Sequence, residues 1–79
     1  MPSVTVRYWA GARAAAGVDD EVVAAESVTQ VVTLLGERTP ALAPVLALSS
    51  LLVDGLVVRG DLALRDGQVL EVLPPFAGG

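Results

Sequence analysis

The chain has 79 residues, of which 53% are hydrophobic and 18% charged, with a net charge of −4, five arginines, and no lysine, cysteine or histidine. A chain of this size folds as one domain, and the missing cysteine and histidine exclude thiol and imidazole catalysis, disulfide bonds and most zinc or iron-sulfur sites. The negative charge argues against phosphate-driven binding to nucleic acid and favours docking on a basic surface of a protein partner.

The first segment predicts two strands joined by a short helix. Residues 3–9 alternate with period two, which predicts a strand with Trp9 on the face opposite Tyr8. Residues 10–17 are rich in alanine and have the length of one or two helical turns. Residues 18–25 predict a second strand, so that the whole segment forms a wide hairpin.

The next segment predicts the main helix. Ser27 and Gln30 have the spacing of a capping box, in which the serine side chain accepts a backbone N–H at the start of a helix. Apolar residues follow at helical spacing, and Pro40 ends the segment. Gly36 leaves two possibilities open: the helix ends early, or another part of the backbone passes close to it.

The remaining residues predict a short helical turn, over residues 41–48, and further strands. The dipeptide Asp54-Gly55 joins two apolar runs and predicts a hairpin, because glycine adopts positive φ without steric cost. Asp66-Gly67 repeats this pattern and predicts a second hairpin before the last strand. Residues 69–73 form the last strand. The order ββαβββ, with one main helix to cover one face of a mixed sheet, predicts an α+β domain of the β-grasp, or ubiquitin-like, fold.

Alternation divides the last strand between two faces. If Glu71 points to solvent, Leu70 and Val72 lie beneath the helix, while Val69 and Leu73 lie on the open face. This open face is the predicted docking surface for a partner.

Three further residues belong to the docking prediction. Trp9 and Phe76 would extend the apolar patch of the open face, although closure of these side chains over the edge of the core is the alternative. Arg13 would either pair with a carboxylate of a partner or steady the adjoining loop.

The sequence ends in PPFAGG, residues 74–79, which we separate as a tail from the domain of residues 1–73. Proline has no N–H and a fixed φ, so the two prolines end the strand ladder and begin a stiff extended segment. The glycines lack Cβ and allow the last peptide to pass through a narrow channel. Simple fraying of the chain end is the alternative. The residues predicted to thread and anchor the tail are Pro74, Pro75, Phe76, Ala77 and Gly78.

Two parts of the chain resemble a known family. Residues 65–79, RDGQVLEVLPPFAGG, closely resemble the carboxyl end of the small, sulfur-carrying subunits of molybdopterin synthase, the MoaD-like proteins, for which xDGDEVxxxPPxxGG is typical. Residues 6–17 resemble the first strand of that family and its FAxxREllG segment, matching at Ala10, Arg13 and Gly17.

The resemblance covers the whole chain and places it in the MoaD/ThiS superfamily of ubiquitin-like sulfur carriers. The VDGLVV turn is similar to the VNG turn of the family. Ala14 replaces the usual glutamate, and Gln68 and Leu70 depart from the DEV consensus.

The resemblance implies a carrier whose reactive group is the carboxylate of Gly79. An adenylating enzyme of the ubiquitin-activating type would use ATP and Mg to form an acyl-adenylate, and a persulfide donor would displace AMP to leave a thiocarboxylate. In the molybdopterin branch the tail would enter the large subunit of a heterotetramer and donate sulfur to cyclic pyranopterin monophosphate. The chain itself is expected to bind no cofactor or metal and not to be catalytic alone.

Three other functions share parts of this pattern. A sulfur carrier for thiamine thiazole, cysteine or a secondary metabolite would use the same terminal chemistry with a different acceptor. A protein modifier would join Gly79 to lysines of target proteins. An interaction module with an inert tail would stay unmodified by ATP and an adenylating enzyme.

We expect a cytoplasmic protein. The first residues do not show the charged, apolar and small-residue regions of a secretory leader. The longest uncharged stretch, residues 39–53, is shorter than the ~20 apolar residues that cross a bilayer. Of the short motifs, RGD at residues 59–61 is interpreted as a loop, and the acidic residues 19–21 as a solvated turn rather than a metal site.

Overall fold

The computed structural model describes residues 1–75 and contains a five-stranded mixed sheet with three helices. The elements are β1 Ser3–Tyr8, α1 Gly11–Ala16, β2 Asp20–Ala24, α2 Val28–Arg38, α3 Leu42–Leu48, β3 Ser50–Val53, β4 Leu56–Val57 and β5 Val69–Leu73. The strand order is β2-β1-β5-β3-β4, in which β1 and β5 are parallel and the other neighbours are antiparallel. The predicted β-grasp fold is confirmed, as are the two short helices, α1 and α3, predicted beside the main one.

One face of the sheet holds the hydrophobic core. The central strands contribute Val4, Val6, Tyr8, Leu70 and Val72, each at most 1% exposed. Every helix adds buried residues to the same cluster: Ala12 from α1, Val28, Val31 and Leu35 from α2, and Leu42 and Leu46 from α3. The prediction that Leu70 and Val72 lie beneath the helices is therefore confirmed, and the opposite face of the sheet stays open.

Helix α2 begins at the predicted cap. The Ser27 Oγ accepts the backbone N–H of Gln30 at 3.2 Å, and the Gln30 side chain accepts the backbone N–H of Glu26. The helix continues through Gly36, where a Cβ would lie 3.8 Å from the Cβ of Ala43 in α3. Gly36 thus neither ends the helix nor marks an unusually close approach. None of the helices within residues 1–75 has the length and apolar composition needed to cross a membrane.

The two Asp-Gly turns have different roles. Both residues of the first, residues 54–55, have positive φ, and the turn joins β3 to β4 as predicted. The glycine of the second, residues 66–67, also has positive φ, but the segment before it pairs only through one bridge, between Ser27 and Ala63. The second hairpin suggested by the sequence is therefore wrong: this segment packs against the start of α2 instead of pairing with β5.

The RGD tripeptide lies in a loop whose aspartate caps α2. The Asp61 Oδ1 accepts the backbone N–H of Thr29, in the first turn of α2, and that of Leu62, both at 2.9 Å. These hydrogen bonds stabilise the ionised carboxylate and hold the pKa of Asp61 below its ordinary value. The aspartate therefore connects the loop to the helix.

We expect Asp61→Asn to lower the free energy of unfolding at pH 7, measured by urea denaturation. Because the folded-state pKa is depressed, the charge stabilises the fold fully above the unfolded-state pKa of 3.8. This stabilisation is lost as the pH falls through the folded-state value, so the urea midpoints of variant and wild type should converge in acid. The control is Glu37→Gln, which removes an exposed charge from α2, the helix that Asp61 caps. A gap that stays constant down to pH 2 would contradict the role of the charge.

Candidate docking face and tail

The tail begins at the centre of the sheet. Strand β5 lies between β1 and β3 and ends at Leu73, directly before Pro74 and Pro75. Pro74 is half-buried and Pro75 is exposed. The remaining tail residues with predicted roles, Phe76, Ala77, Gly78 and Gly79, lie outside the described residues, and those roles stay predictions.

Trp9 lies on the open face and is bound to β5 through two hydrogen bonds. Its indole Nε1 donates to the Glu71 Oε2 at 2.9 Å, and its backbone N–H donates to the Val72 carbonyl at 3.2 Å. Trp9 is 38% exposed, and Val69 and Leu73 are half-buried on the same face of the sheet. The structure thus places the three residues on one face of the sheet, as predicted; that a partner docks there stays a prediction.

A strained turn holds Trp9 between the strand and α1. Ala10 has φ 47° and ψ −125°, a conformation that favours glycine and costs a residue with Cβ roughly 1–3 kcal/mol. The turn is bound to α1, because the carbonyls of Trp9 and Ala10 accept the backbone N–H groups of Ala12 and Arg13, each at 3.0 Å. The backbone at Trp9 is therefore firmly positioned on the open face.

Arg13 steadies the loop that follows α1. Its Nε lies 3.3 Å from the Asp19 Oδ1, with the two side chains 52% and 82% exposed. An ion pair this exposed contributes about 1 kcal/mol or less to stability. Of the two roles expected for Arg13, the structure shows the contact with the loop, while pairing with a partner stays a prediction.

The acidic run at residues 19–21 is divided between different contacts. Asp19 binds Arg13, and the Glu21 Oε2 accepts the hydroxyl of buried Tyr8 at 2.7 Å. Burial, and secondarily this hydrogen bond, raises the pKa of Tyr8, so the phenol stays protonated. Within residues 1–75, no three carboxylates are grouped so that they could hold a metal ion.

One row of side chains crosses the open face at right angles to the strands. The register pairs Arg7 of β1 with Asp20 of β2 on one side and with Glu71 of β5 on the other. The row continues with Leu52 of β3 and Val57 of β4. It therefore has three charges of alternating sign followed by two apolar side chains. In the described structure no ion pair joins these three charges to one another.

Arg7 and Glu71 were not predicted from the sequence as candidate site residues. The sequence did contain one signal for them, because strand alternation places both residues on the same face as Trp9. Their adjacency depends on the parallel register of β1 and β5, which are separated by most of the chain. The row could therefore be recognised only from the structure.

The chain is similar to known proteins over its whole length. The sequence profile of the ThiS family matches residues 6–79. Among solved structures, small archaeal modifier protein 1 from Methanosarcina acetivorans is 27% identical with a TM-score of 0.88, over 100% of this chain and 98% of that chain. A Pyrococcus furiosus protein described as molybdopterin converting factor, subunit 1, is 29% identical with a TM-score of 0.85, over 95% and 99% of the two chains.

A third structure is similar in fold alone. It is the protein-protein complex of subunits 1 and 2 of the molybdopterin-converting factor from Helicobacter pylori 26695, in which the matching chain is 20% identical with a TM-score of 0.78. The match covers 98% of this chain and 99% of that chain. No curated protein matches the sequence.

The profile match and the fold agree in extent. The profile begins within β1 and continues to Gly79, so it includes the PPFAGG tail as well as the domain. The structural matches cover at least 95% of the chain, so the similarity extends over the complete sheet and its helices. The chain therefore belongs to the ThiS family, within the MoaD/ThiS superfamily, and has the β-grasp fold that sulfur carriers share with ubiquitin-like modifiers.

Proposed function

We propose that this protein is a sulfur carrier that acts as the small subunit of molybdopterin synthase, with the α-carboxylate of Gly79 as its reactive group. The observation that carries the proposal is that the ThiS family match continues through the PPFAGG tail to Gly79. The composition supports it as well, because the chain has no cysteine or histidine that could act as a nucleophile or base. The terminal carboxylate then supplies the chemistry.

The carboxylate must be activated before it can accept sulfur. With a pKa of roughly 3.5 it is ionised at pH 7 and is a poor electrophile. An adenylating enzyme supplies the activation by transferring AMP from ATP, with Mg, and releasing pyrophosphate. A persulfide sulfur then attacks the carbonyl carbon and displaces AMP, and a thiol cleaves the sulfur-sulfur bond to leave the thiocarboxylate. ATP and Mg belong to the activating enzyme, and we place the reaction in the cytoplasm.

The sulfur is then delivered to a large partner subunit. In this proposal the tail enters the large subunit of a heterotetrameric molybdopterin synthase, where the thiocarboxylate attacks cyclic pyranopterin monophosphate and hydrolysis restores the carboxylate. The Pyrococcus furiosus neighbour supports this branch by its description as a converting-factor subunit. The open face around Trp9, Val69 and Leu73 supplies the apolar contact area for docking.

A protein modifier is the second candidate, favoured by the similarity to small archaeal modifier protein 1. In that case the activated Gly79 would acylate lysines of other proteins. Because this chain has no lysine, it could not build side-chain-linked polymers of itself. Conjugates on target proteins in cells would favour this candidate, and their absence together with thiocarboxylate formation would favour a carrier, for molybdopterin or for another sulfur-containing product.

The proposal is tested by intact-mass spectrometry of the chain ending at Gly79. The protein is incubated with ATP, Mg, an adenylating enzyme encoded beside molybdenum-cofactor genes and a persulfide donor. We expect a mass gain equal to the exchange of one oxygen for one sulfur, located on the last peptide. An unchanged mass, with an enzyme that sulfurates another carrier, would contradict the carrier function and favour an interaction module.

A further inference from the structure

We propose that Glu71 determines partner specificity on the open face, and that the adenylating enzyme presents an arginine or lysine to it and an acidic side chain to neighbouring Arg7. This inference rests on the proposed function, because it takes the activating enzyme as the protein that covers this face first, before the sulfurated chain docks on the large subunit. In this proposal the partner recognises the open face by its charges as well as by its apolar side chains.

The position of Glu71 makes its charge important for docking. It lies in the central strand β5, half-buried, with Val69 and Leu73 two residues away on the same face and Leu52 beside it on β3. A partner that covers these apolar side chains also removes the carboxylate from water. Desolvation of a carboxylate is costly unless a donor or a cation replaces the water. A partner without such a group opposite Glu71 is therefore rejected.

The carboxylate is oriented in advance. The indole Nε1 of Trp9 donates to its Oε2 at 2.9 Å, and Trp9 is itself fixed by backbone hydrogen bonds on both sides. No other hydrogen bond to the Glu71 carboxylate is formed by residues 1–75, so its Oε1 can accept from a partner. Because the group is held before docking, less conformational entropy is lost when the partner binds.

The neighbouring charges define a register. Adjacent strands are roughly 4.8 Å apart, so Asp20, Arg7 and Glu71 form a row of negative, positive and negative charge with that approximate spacing. A partner surface with basic, acidic and basic groups fits this row in one alignment. A shift by one strand brings like charges together, which costs affinity. The apolar end of the row, Leu52 and Val57, then supplies contact area.

Charge balance favours a basic partner surface. The row has two acidic groups and one basic group, and the whole chain has a net charge of −4. Long-range attraction therefore steers a basic surface toward this protein, while the alternating row selects among basic surfaces. The same charge would repel an acidic competitor.

The test compares adenylation kinetics of wild type, Glu71→Gln and Glu71→Arg, with pyrophosphate release as the assay. The enzyme is the adenylating enzyme that supports sulfuration of the wild-type chain in the mass assay. Because glutamine keeps an oxygen for Trp9 but has no charge, we expect Glu71→Gln to raise KM roughly tenfold with little change in kcat. Arginine places a cation opposite the cation of the partner, and we expect KM to rise by roughly 100-fold or more.

Two controls separate this charge effect from general damage. Glu37→Gln makes the same charge change at an exposed position of α2, and its KM should equal that of wild type. Trp9 is the one tryptophan of the chain, so an unchanged emission spectrum in Glu71→Gln shows that the ring has kept its surroundings.

The outcomes distinguish this inference from the proposed function. If the wild-type chain is not adenylated by any such enzyme, both are overturned. If the wild-type chain is adenylated and sulfurated while Glu71→Gln and Glu71→Arg keep its KM, only the role of Glu71 is overturned.

Discussion

Deletion of Gly79 should abolish thiocarboxylate formation while leaving the fold unchanged. The deletion moves the terminal carboxylate back by one residue, which is about 3.5 Å of extended chain. A displacement of 1 Å at a reacting group can cost about 100-fold in rate, so we expect no measurable sulfuration. The buried core of the described residues extends along β5 no further than Val72, so the midpoint of thermal unfolding should equal that of wild type. Intact mass and circular dichroism measure the two results.

Extension of the chain by one alanine after Gly79 is the complementary variant. It keeps every native residue but converts the reactive carboxylate to an amide, so sulfuration should again be lost. The matched control adds one alanine before Met1, at the opposite end of the sequence, and should accept sulfur normally. If the chain extended after Gly79 still gained sulfur on its last peptide, the reactive group would not be the Gly79 carboxylate.

The order of strands and helices along the chain could be predicted because its signals are local. Period-two alternation in residues 3–9 and 69–73 identified strands and their buried faces, and the Ser27 cap identified the start of α2. The second hairpin was wrong because turn chemistry does not select the pairing partner. The segment after β4 binds the start of α2 instead, where the Leu64 N–H donates to the Glu26 carbonyl at 2.8 Å. Such competition between distant segments is decided by tertiary packing.

The departure at Gln68 from the family pattern has a structural reason that the sequence did not reveal. The Gln68 side chain donates its Nε2 to the Asp54 Oδ2 at 2.9 Å and accepts the Arg65 N–H on its Oε1 at 2.7 Å. The hydrogen bond from the Gln68 side chain, and secondarily that from the Val69 N–H, lowers the pKa of Asp54. An ionised aspartate at position 68 could not donate to Asp54. The amide therefore connects two turns that are distant in sequence.

The candidate site was predictable by face but not by contact. Alternation correctly put Trp9, Val69 and Leu73 on the face opposite the core, since side chains in a strand alternate whatever their partners are. The hydrogen bond from Trp9 to Glu71 joins residues 62 positions apart and requires the register of two parallel strands. The alternation within each strand does not determine how β1 and β5 are aligned, so this hydrogen bond could not be predicted from the sequence.

Leu70→Ala should mainly lower stability and Leu73→Ala should mainly weaken docking, although they make the same change three residues apart on β5. Leu70 is completely buried in the core, and removal of its side chain leaves a cavity that costs about 2–5 kcal/mol. Small domains have a total stability of only about 5–15 kcal/mol, so the loss is a large part of it. Leu73 is half-buried on the open face, and its truncation should cost roughly 1 kcal/mol.

The functional order of the two variants should be the reverse of their stability order. Under conditions where both remain folded, Leu73→Ala removes apolar area from the docking face and should raise the KM for the adenylating enzyme. Leu70→Ala leaves that face unchanged and should keep the KM of wild type. Urea denaturation and adenylation kinetics measure the two effects separately. If the two variants lost equal stability, or if Leu70→Ala raised KM more than Leu73→Ala, the division of β5 into a core face and a docking face would be incorrect.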